Sequence, residues 1–247
     1  MKKQWLVWIG MLLCAPFLGC RSAGYTSVAF STYEVKKVGN SSGVLQQLLK
    51  RAKDEVNDSL AKVIACSVQG FRQQPNEYTL ENWVADAVRY TAEKTVLQPV
   101  DLVLISRAAV GRWLPRGNIT LQNIYQLIPG NFRWVSHTVR VDSLETFLDS
   151  ALRKNGYGIS GSTLRRVGTG GGIQIRSRGQ LLLPTSHIHV ITLQRLSYQP
   201  AKEEFFQFFP TPYKGTLLRE AVIFYAASFT QAGQPVKVSL EKRIDVQ

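Results

Sequence analysis

The sequence has few residues that could build a disulfide or metal site. Its 247 residues include three cysteines and three histidines. Cys14 and Cys20 both lie in the apolar N-terminal stretch, so Cys66 is the only cysteine in the rest of the chain. An intramolecular disulfide framework is therefore excluded. Cys66 continues the apolar run 63–65, and we expect it to be a small buried residue of a strand.

The histidines are equally sparse, and two of them lie close together in Ser186-His187-Ile188-His189. This stretch resembles the last histidine motif of metallophosphatases. A dinuclear site also needs further histidines and carboxylates, from Asp-x-His and Gly-Asn-His-Glu patterns, and the sequence contains neither. It also lacks the Gly-x-Ser-x-Gly elbow of serine hydrolases. We therefore predict no metal, no cofactor and no catalytic residues. The helical acids are better explained as solvated faces or caps: Asp54, Glu55, Asp58, Glu81 and Asp86.

No hydrophobic run is long enough to cross a membrane. The longest, residues 5–18, falls short of the ~20 residues that a span requires, and it follows Lys2-Lys3 as a secretory signal does. It ends in Phe17-Leu18-Gly19-Cys20, which resembles the lipobox of bacterial lipoproteins. We predict a signal peptide over 1–19, a lipid on Cys20, a tether over 20–42 and a folded domain over 43–247. The protein would be anchored in the bacterial envelope, in the outer membrane facing the periplasm. An ordinary signal peptide with a chance cysteine is the alternative.

Acidic side chains are also in short supply, with 17 against 30 basic ones and a net charge of +13. Such an excess favours anionic partners, which include nucleotides and lipid headgroups. The basic residues are dispersed, apart from Arg165-Arg166 and Arg176-Ser177-Arg178. An exported protein meets little DNA, so we do not expect nucleic-acid binding.

The most informative stretch lies between residues 78 and 131. A helix is predicted over 78–89, with Thr79 as N-cap and Glu81 in its first turn. Pro99 breaks the chain, and the apolar run 100–106 indicates a buried strand. A turn with small residues and arginines follows at 107–112, and a second helix begins at Leu121 and leads to a Pro-Gly-Asn turn. This order predicts a pocket at a strand end.

The order and spacing of these pieces resemble the C-terminal domain of the bacterial and animal 5'-nucleotidases. That domain carries patterns close to LGNLVADAMR, ALINSGGIR, LPAGDIT, DVYxLLPFGN and VTLTGxQLxxxLE. Their counterparts here lie within 78–89, 100–112, 114–120, 121–131 and 137–149. The likeness covers roughly residues 43–235. It implies an α+β fold, with a mixed β-sheet flanked by helices. Downstream, the pattern predicts strands over 159–167, 173–177, 180–183, 187–195 and 236–246, and a helix over 216–231.

The resemblance also implies where a ligand would bind. In the family, the arginine of GGIR, an aromatic-Gly-Asn turn and an aromatic from a GGDGY loop form the substrate pocket. Here a glycine stands at the arginine's place, and Arg112 or Arg107 would substitute. The turn keeps Asn131 and moves the aromatic residue to Phe132, while the GGDGY loop has no counterpart. We predict these four residues as ligand-binding; the alternative is two solvated arginines and an ordinary turn.

An aromatic segment, residues 205–209, follows the position of the missing loop. Four aromatics in five residues favour core packing, although one ring facing a ligand is the alternative. In two-domain 5'-nucleotidases the metals and catalytic groups belong to a separate metallophosphatase domain. The resemblance therefore implies the substrate-recognition half of a split 5'-nucleotidase in nucleotide catabolism, inactive alone and paired with a separately encoded metallophosphatase subunit. It would bind a nucleotide or another anionic small ligand. The alternative is a non-enzymatic envelope binding or scaffold lipoprotein.

Overall fold

Most of the chain beyond residue 42 is described by a computed structural model. The described residues are 43–75, 77–96, 98–154, 156–168, 171–194, 204–207, 209–211 and 213–245. The predicted signal peptide, Cys20 and the tether lie outside them. Among the described residues, no helix combines the length and the apolar character needed for a membrane span. The described residues from Gln47 onward belong to one compact unit.

The elements of the first part of the chain are, in order, α1 (Gly43–Ala61), β1 (Val63–Ser67), β2 (Phe71–Arg72), α2 (Thr79–Val96), β3 (Leu102–Ser106), a 3-10 turn (Arg107–Ala109), β4 (Trp113–Leu114), β5 (Gly117–Thr120), α3 (Leu121–Leu127) and β6 (Arg133–Arg140). Those of the second part are α4 (Val141–Lys154), β7 (Tyr157–Ser160), β8 (Ser162–Arg166), β9 (Ile173–Ser177), β10 (Gln180–Leu181), β11 (His187–Gln194), α5 (Glu204–Gln207), β12 (Tyr213–Leu217), α6 (Leu218–Gln231) and β13 (Ile244–Asp245).

A five-stranded mixed sheet forms the centre, in the order β12-β6-β11-β3-β7. β11 and β3 are parallel, and the other neighbouring strands pair antiparallel. The prediction of an α+β fold with a mixed sheet flanked by helices is therefore confirmed.

Each face of this sheet supplies one hydrophobic core, because side chains alternate along a strand. On β3, Val103 and Ile105 join the core beneath α2 and α6, together with the fully buried Trp83 and Trp134. Leu102 and Leu104 point to the other core, which contains α4, Phe206 of α5, and β8 and β9. The four apolar side chains of β3 are all buried, which explains why the strand is a continuous apolar run rather than an alternating one.

A second sheet has the order β10-β9-β8-β13. The predicted strand 159–167 is divided between the two sheets at Gly161, whose φ of 88° only glycine adopts without strain. A Cβ at this glycine would lie 2.6 Å from the carbonyl oxygen of Asp101. Across the glycine-rich stretch, β8 and β9 pair antiparallel, as expected for a hairpin connection. In the described part of the predicted strand 236–246, the chain forms an isolated bridge at Val236 and the short β13 instead of a continuous strand.

Three predictions about single residues are wrong, one of them for Asp86, which was expected to be solvated or a cap but is 21% exposed and paired with Arg243 at 2.7 Å. Cys66 is exposed, because the alternation of β1 turns its neighbours Ala65 and Ser67 inward instead. Glu81 is fully buried rather than solvated, because the first turn of α2 packs against β7. Gly158 of β7 leaves room for this contact, since a Cβ there would lie 2.2 Å from the backbone carbon of Glu81.

Candidate functional site

The segments that were predicted to bind ligand leave the central sheet at the same end. β3 and β11 are parallel and β6 runs against both, so the last residues of β3 and β11 lie beside the first residue of β6. Gln194 pairs with Arg133, and the register of Ile191 with Val103 brings Ser106 close to Gln194. The 107–112 turn and the 129–132 turn therefore extend from the same end of the sheet. We call this end the strand-end site.

Arg107 is committed to an intramolecular contact at this site. Its Nε lies 3.0 Å from Oε1 of Glu81, whose side chain is 0% exposed. The guanidinium also donates to the carbonyl of Gln74 and lies over the Tyr78 ring, 5.3 Å from the ring centre. Burial raises the pKa of Glu81, and the positive charge of Arg107 partly opposes this shift. Arg107 thus neutralises a buried carboxylate.

Gly111, which stands at the arginine position expected from the resemblance, packs closely against the end of α3. The Gly111 N–H donates to the Leu127 carbonyl at 2.6 Å, and a Cβ at Gly111 would lie 2.5 Å from the carbonyl oxygen of Gln126. No side chain fits against the end of α3 at this distance. The next residue, Arg112, is exposed and has no ion pair within the described chain.

Gln73 holds the 107–112 turn in place, a role that sequence reasoning missed. Its side-chain amide donates to the carbonyls of Arg107 and Val110, at 3.3 and 3.2 Å. Its backbone N–H donates to the Arg112 carbonyl at 2.9 Å. Nothing in the sequence marks this glutamine, because the partners lie 34 to 37 residues away.

Arg219 supports the 129–132 turn in a similar way. Its guanidinium donates to the Ile128 carbonyl at 3.0 and 3.2 Å and lies over the Tyr125 ring, 4.1 Å from the ring centre. Sequence reasoning missed this residue, although one signal was present. A positive charge in the first turn of α6 opposes the helix dipole, which indicates that another group must hold it there.

The two predicted turn residues differ in exposure. Asn131 is exposed, whereas Phe132 is half-buried and packs against the core beneath α2 and α6. The ring of Phe132 folds back over its own turn, since a Cβ at Gly130 would lie 2.2 Å from its Cε2. The backbone carbonyl of Phe132 also accepts from the Leu218 N–H at 2.8 Å. The turn thus presents the amide to solvent and much of the ring to the protein.

On the other side of the sheet, the strand end is filled by aromatic rings. Phe206 is buried and lies 5.1 Å from the Phe147 ring of α4 and 5.2 Å from the ring of His137. The space left among Ser106, Thr192 and Phe206 is about 10 Å³, room for a single water. The described rings of the aromatic segment therefore pack in the core, as predicted.

The four predicted ligand residues thus have different surroundings. Arg112 and Asn131 are exposed at the strand-end site, Arg107 is engaged by Glu81, and Phe132 is partly covered. Trp113, next to Arg112, is 44% exposed and offers an aromatic surface that sequence reasoning passed over. Their part in ligand binding stays a prediction. Within the described ranges, no three His, Cys, Asp or Glu side chains come together to hold a metal ion.

Sequence comparison finds no relatives, whereas comparison of folds does. No family model matches the chain, and no curated protein matches it significantly. Among solved structures, the 5'-nucleotidase precursor of Thermus thermophilus has a TM-score of 0.63 at 15% identity, covering 83% of this chain and 43% of its own. The sulfate thiohydrolase SoxB of the same organism has a TM-score of 0.63 at 16% identity, and the match covers 83% of this chain and 38% of SoxB. The Haemophilus influenzae NAD nucleotidase NadN has a TM-score of 0.57 at 13% identity, and the match covers 83% of this chain and 42% of NadN.

These likenesses concern the C-terminal portion of the solved chains. This chain spans less than half the length of each of them. At such low identity they show the fold alone. The chain has a fold resembling the 5'-nucleotidase C-terminal domain, in agreement with the expectation from its sequence motifs.

Proposed function

We propose that this chain is the substrate-recognition half of a split 5'-nucleotidase, with metals and hydrolysis supplied by a separately encoded metallophosphatase chain. The observation that carries the proposal is the fold, which corresponds to the C-terminal portion of a 5'-nucleotidase precursor and of an NAD nucleotidase. The ligand would be a nucleotide or a related small anion, bound in the cell envelope.

The strand-end site supports this proposal through the groups it leaves free. Arg112 supplies a planar guanidinium that suits phosphate, and Asn131 supplies an amide from the neighbouring turn. Trp113 offers an exposed ring against which a base could stack. Gln73 and Arg219 fix the two turns, so that the loss in conformational entropy on ligand binding is small.

A second function, a non-enzymatic binding or scaffold protein, is favoured by two specific observations. Phe206 fills the space beside Ser106 and Thr192, and the Arg107 guanidinium is already paired with Glu81. The first reduces the space for a nucleotide at this end of the sheet, and the second reduces the positive charge that is free to bind its phosphate. A protein that had lost nucleotide recognition would be expected to acquire such changes.

Calorimetry with the full-length protein separates the two functions. Under the first proposal, AMP or adenosine binds at millimolar concentration, and Arg112→Ala weakens AMP binding about tenfold or more, since a hydrogen bond to a charged group contributes about 1.5–3 kcal/mol. Arg116→Ala is the matched control, because Arg116 is an exposed arginine four residues along the same chain segment.

The second measurement is hydrolysis. The chain alone should not release phosphate from AMP with divalent metal present, and a mixture with its metallophosphatase partner should. If no nucleoside or nucleotide binds and no candidate partner gains activity, the recognition function is refuted and the scaffold function remains.

A further inference from the structure

The outward face of the four-stranded sheet is basic and open. β8 and β9 turn Leu164, Ile173 and Ile175 into the core beneath α4. The alternate residues point outward, and the register pairs Arg176 with Thr163 and Arg165 with Gln174. Arg165 and Arg176 are therefore diagonal neighbours on one surface, and both are exposed.

Leucines border this surface along the edge strand. Leu181 of β10 pairs with Arg176, so the two side chains share the outward face. The ladder continues past β10, since the Leu182 N–H donates to the Ile175 carbonyl at 2.9 Å. Leu182 packs inward, while Leu181 and Leu183 are 45% and 64% exposed. Two large apolar side chains thus stand in water beside two arginines.

A third arginine is held at the tip of the β9–β10 hairpin in an unfavourable conformation. Arg178 has φ 52° and the following Gly179 has φ 80°, so both central residues of the turn are left-handed. Asparagine or glycine adopts this conformation at lower cost than arginine does. An arginine thus occupies a left-handed backbone position that costs it conformational energy, and residues with such strain are concentrated at functional sites.

Few negative charges oppose these arginines. The sequence has no aspartate or glutamate between Asp149 and Glu203. Asp149 is paired with Arg166, and Asp245, the carboxylate near Arg165, accepts from Lys242 at 2.7 Å. The surface formed by Arg165, Arg176, Arg178, Leu181 and Leu183, here called the basic-leucine face, is thus positively charged along its length.

We propose that the basic-leucine face docks on an anionic lipid surface. Arginines beside exposed leucines suit headgroups and the boundary of the acyl region at once. Nucleic-acid surfaces add aromatic platforms for bases, and none of the five residues of this face is aromatic. The proposal is independent of nucleotide binding. A lipid on Cys20 would strengthen it, since a 20–42 tether reaches at most about 80 Å at ~3.5 Å per residue and keeps the domain near a membrane.

The test uses the full-length protein reconstituted in phosphatidylethanolamine vesicles, with either phosphatidylglycerol or phosphatidylcholine as the second lipid. Hydrogen exchange of the 178–183 amides should slow only with phosphatidylglycerol, and high salt should reverse the effect. Each arginine contributes about fivefold to the affinity for the surface, so Arg165→Gln/Arg176→Gln/Arg178→Gln should lower it roughly a hundredfold and abolish the protection. The matched control, Arg51→Gln/Arg72→Gln/Arg116→Gln, removes the same charge from exposed positions elsewhere and should retain it.

A single variant distinguishes docking from folding. Arg178→Asn suits the left-handed turn better, so it should keep or raise the melting temperature while it lowers the protection by phosphatidylglycerol about fivefold. Equal protection on both vesicle types, or an equal loss in the control variant, would overturn the proposal. Stronger protection by a single-stranded RNA than by vesicles would assign the face to nucleic acid instead.

Discussion

Removing the Arg107 guanidinium should destabilise the protein rather than only weaken a ligand contact. Its partner Glu81 is 0% exposed, and Nε lies 3.0 Å from the carboxylate. Arg107→Ala leaves that carboxylate buried without a countercharge, which costs about 3–5 kcal/mol. For a domain of this size, 1 kcal/mol shifts the melting temperature by about 2–4 °C, so a loss of roughly 6–20 °C is expected.

The pH dependence of this loss identifies its cause. Burial raises the pKa of Glu81 even with Arg107 present, so the carboxyl group is harder to ionise in the folded state than in the unfolded state. Because the pKa is higher in the folded state, Glu81 contributes its full stabilisation at pH values below 4.5, its pKa in the unfolded chain. This contribution is lost as the pH rises through the pKa of the folded state. Without Arg107 the folded pKa rises further. The variant should therefore be most destabilised at neutral and alkaline pH and approach the wild type as the pH falls.

Thermal unfolding followed by circular dichroism, at several pH values, measures both effects. Arg112→Ala is the control, since an exposed arginine without an ion pair should change stability by no more than about 0.5 kcal/mol. Adding Glu81→Leu to Arg107→Ala should recover most of the loss, because it removes the unpaired carboxylate. The reasoning fails if Arg107→Ala unfolds at the wild-type temperature at every pH. Loss of nucleotide binding without loss of stability would return Arg107 to the ligand site.

Three further predictions concern separate parts of the molecule. Gly111→Ala should destabilise the protein by about 1–3 kcal/mol in denaturant unfolding, because the new methyl group would lie 2.5 Å from the Gln126 carbonyl oxygen. An unchanged denaturant midpoint of unfolding would contradict this contact. Burial lowers the pKa of His137, so the stability that the neutral ring contributes should be lost as the pH falls below 6.5, the ordinary pKa of histidine. His137→Phe should flatten that part of the pH profile of stability, and an unaltered profile would exclude the histidine as its cause. Cys20→Ala should release the protein from membranes or stall its processing, whereas unchanged fractionation and no lipid mass on the wild type would rule out the anchor.

The sequence alone determined the fold class and the main helices and strands, but not the short strands β2, β4 and β12. The continuous apolar run of β3, the amphipathic pattern of α2 and the break at Pro99 depend on neighbouring residues, and so they were readable from local pattern. Motif order added the likeness to a known fold. Such signals can be recognised without close sequence identity because burial periodicity and turn residues are constrained by the backbone, while the individual side chains are not.

Only the tertiary structure decided which arginine is free and which is paired. Glu81 and Arg107 are 26 positions apart, Gln73 and Arg219 reach their turns from distant elements, and no periodicity links such partners. The same holds for Cys66, whose exposure follows from the pairing of β1 with β5, and for the basic-leucine face, which exists because the register of three strands turns alternate residues outward. Local pattern predicts an element and its periodicity, whereas the environment of a single side chain is fixed by residues that fold next to it from elsewhere in the chain.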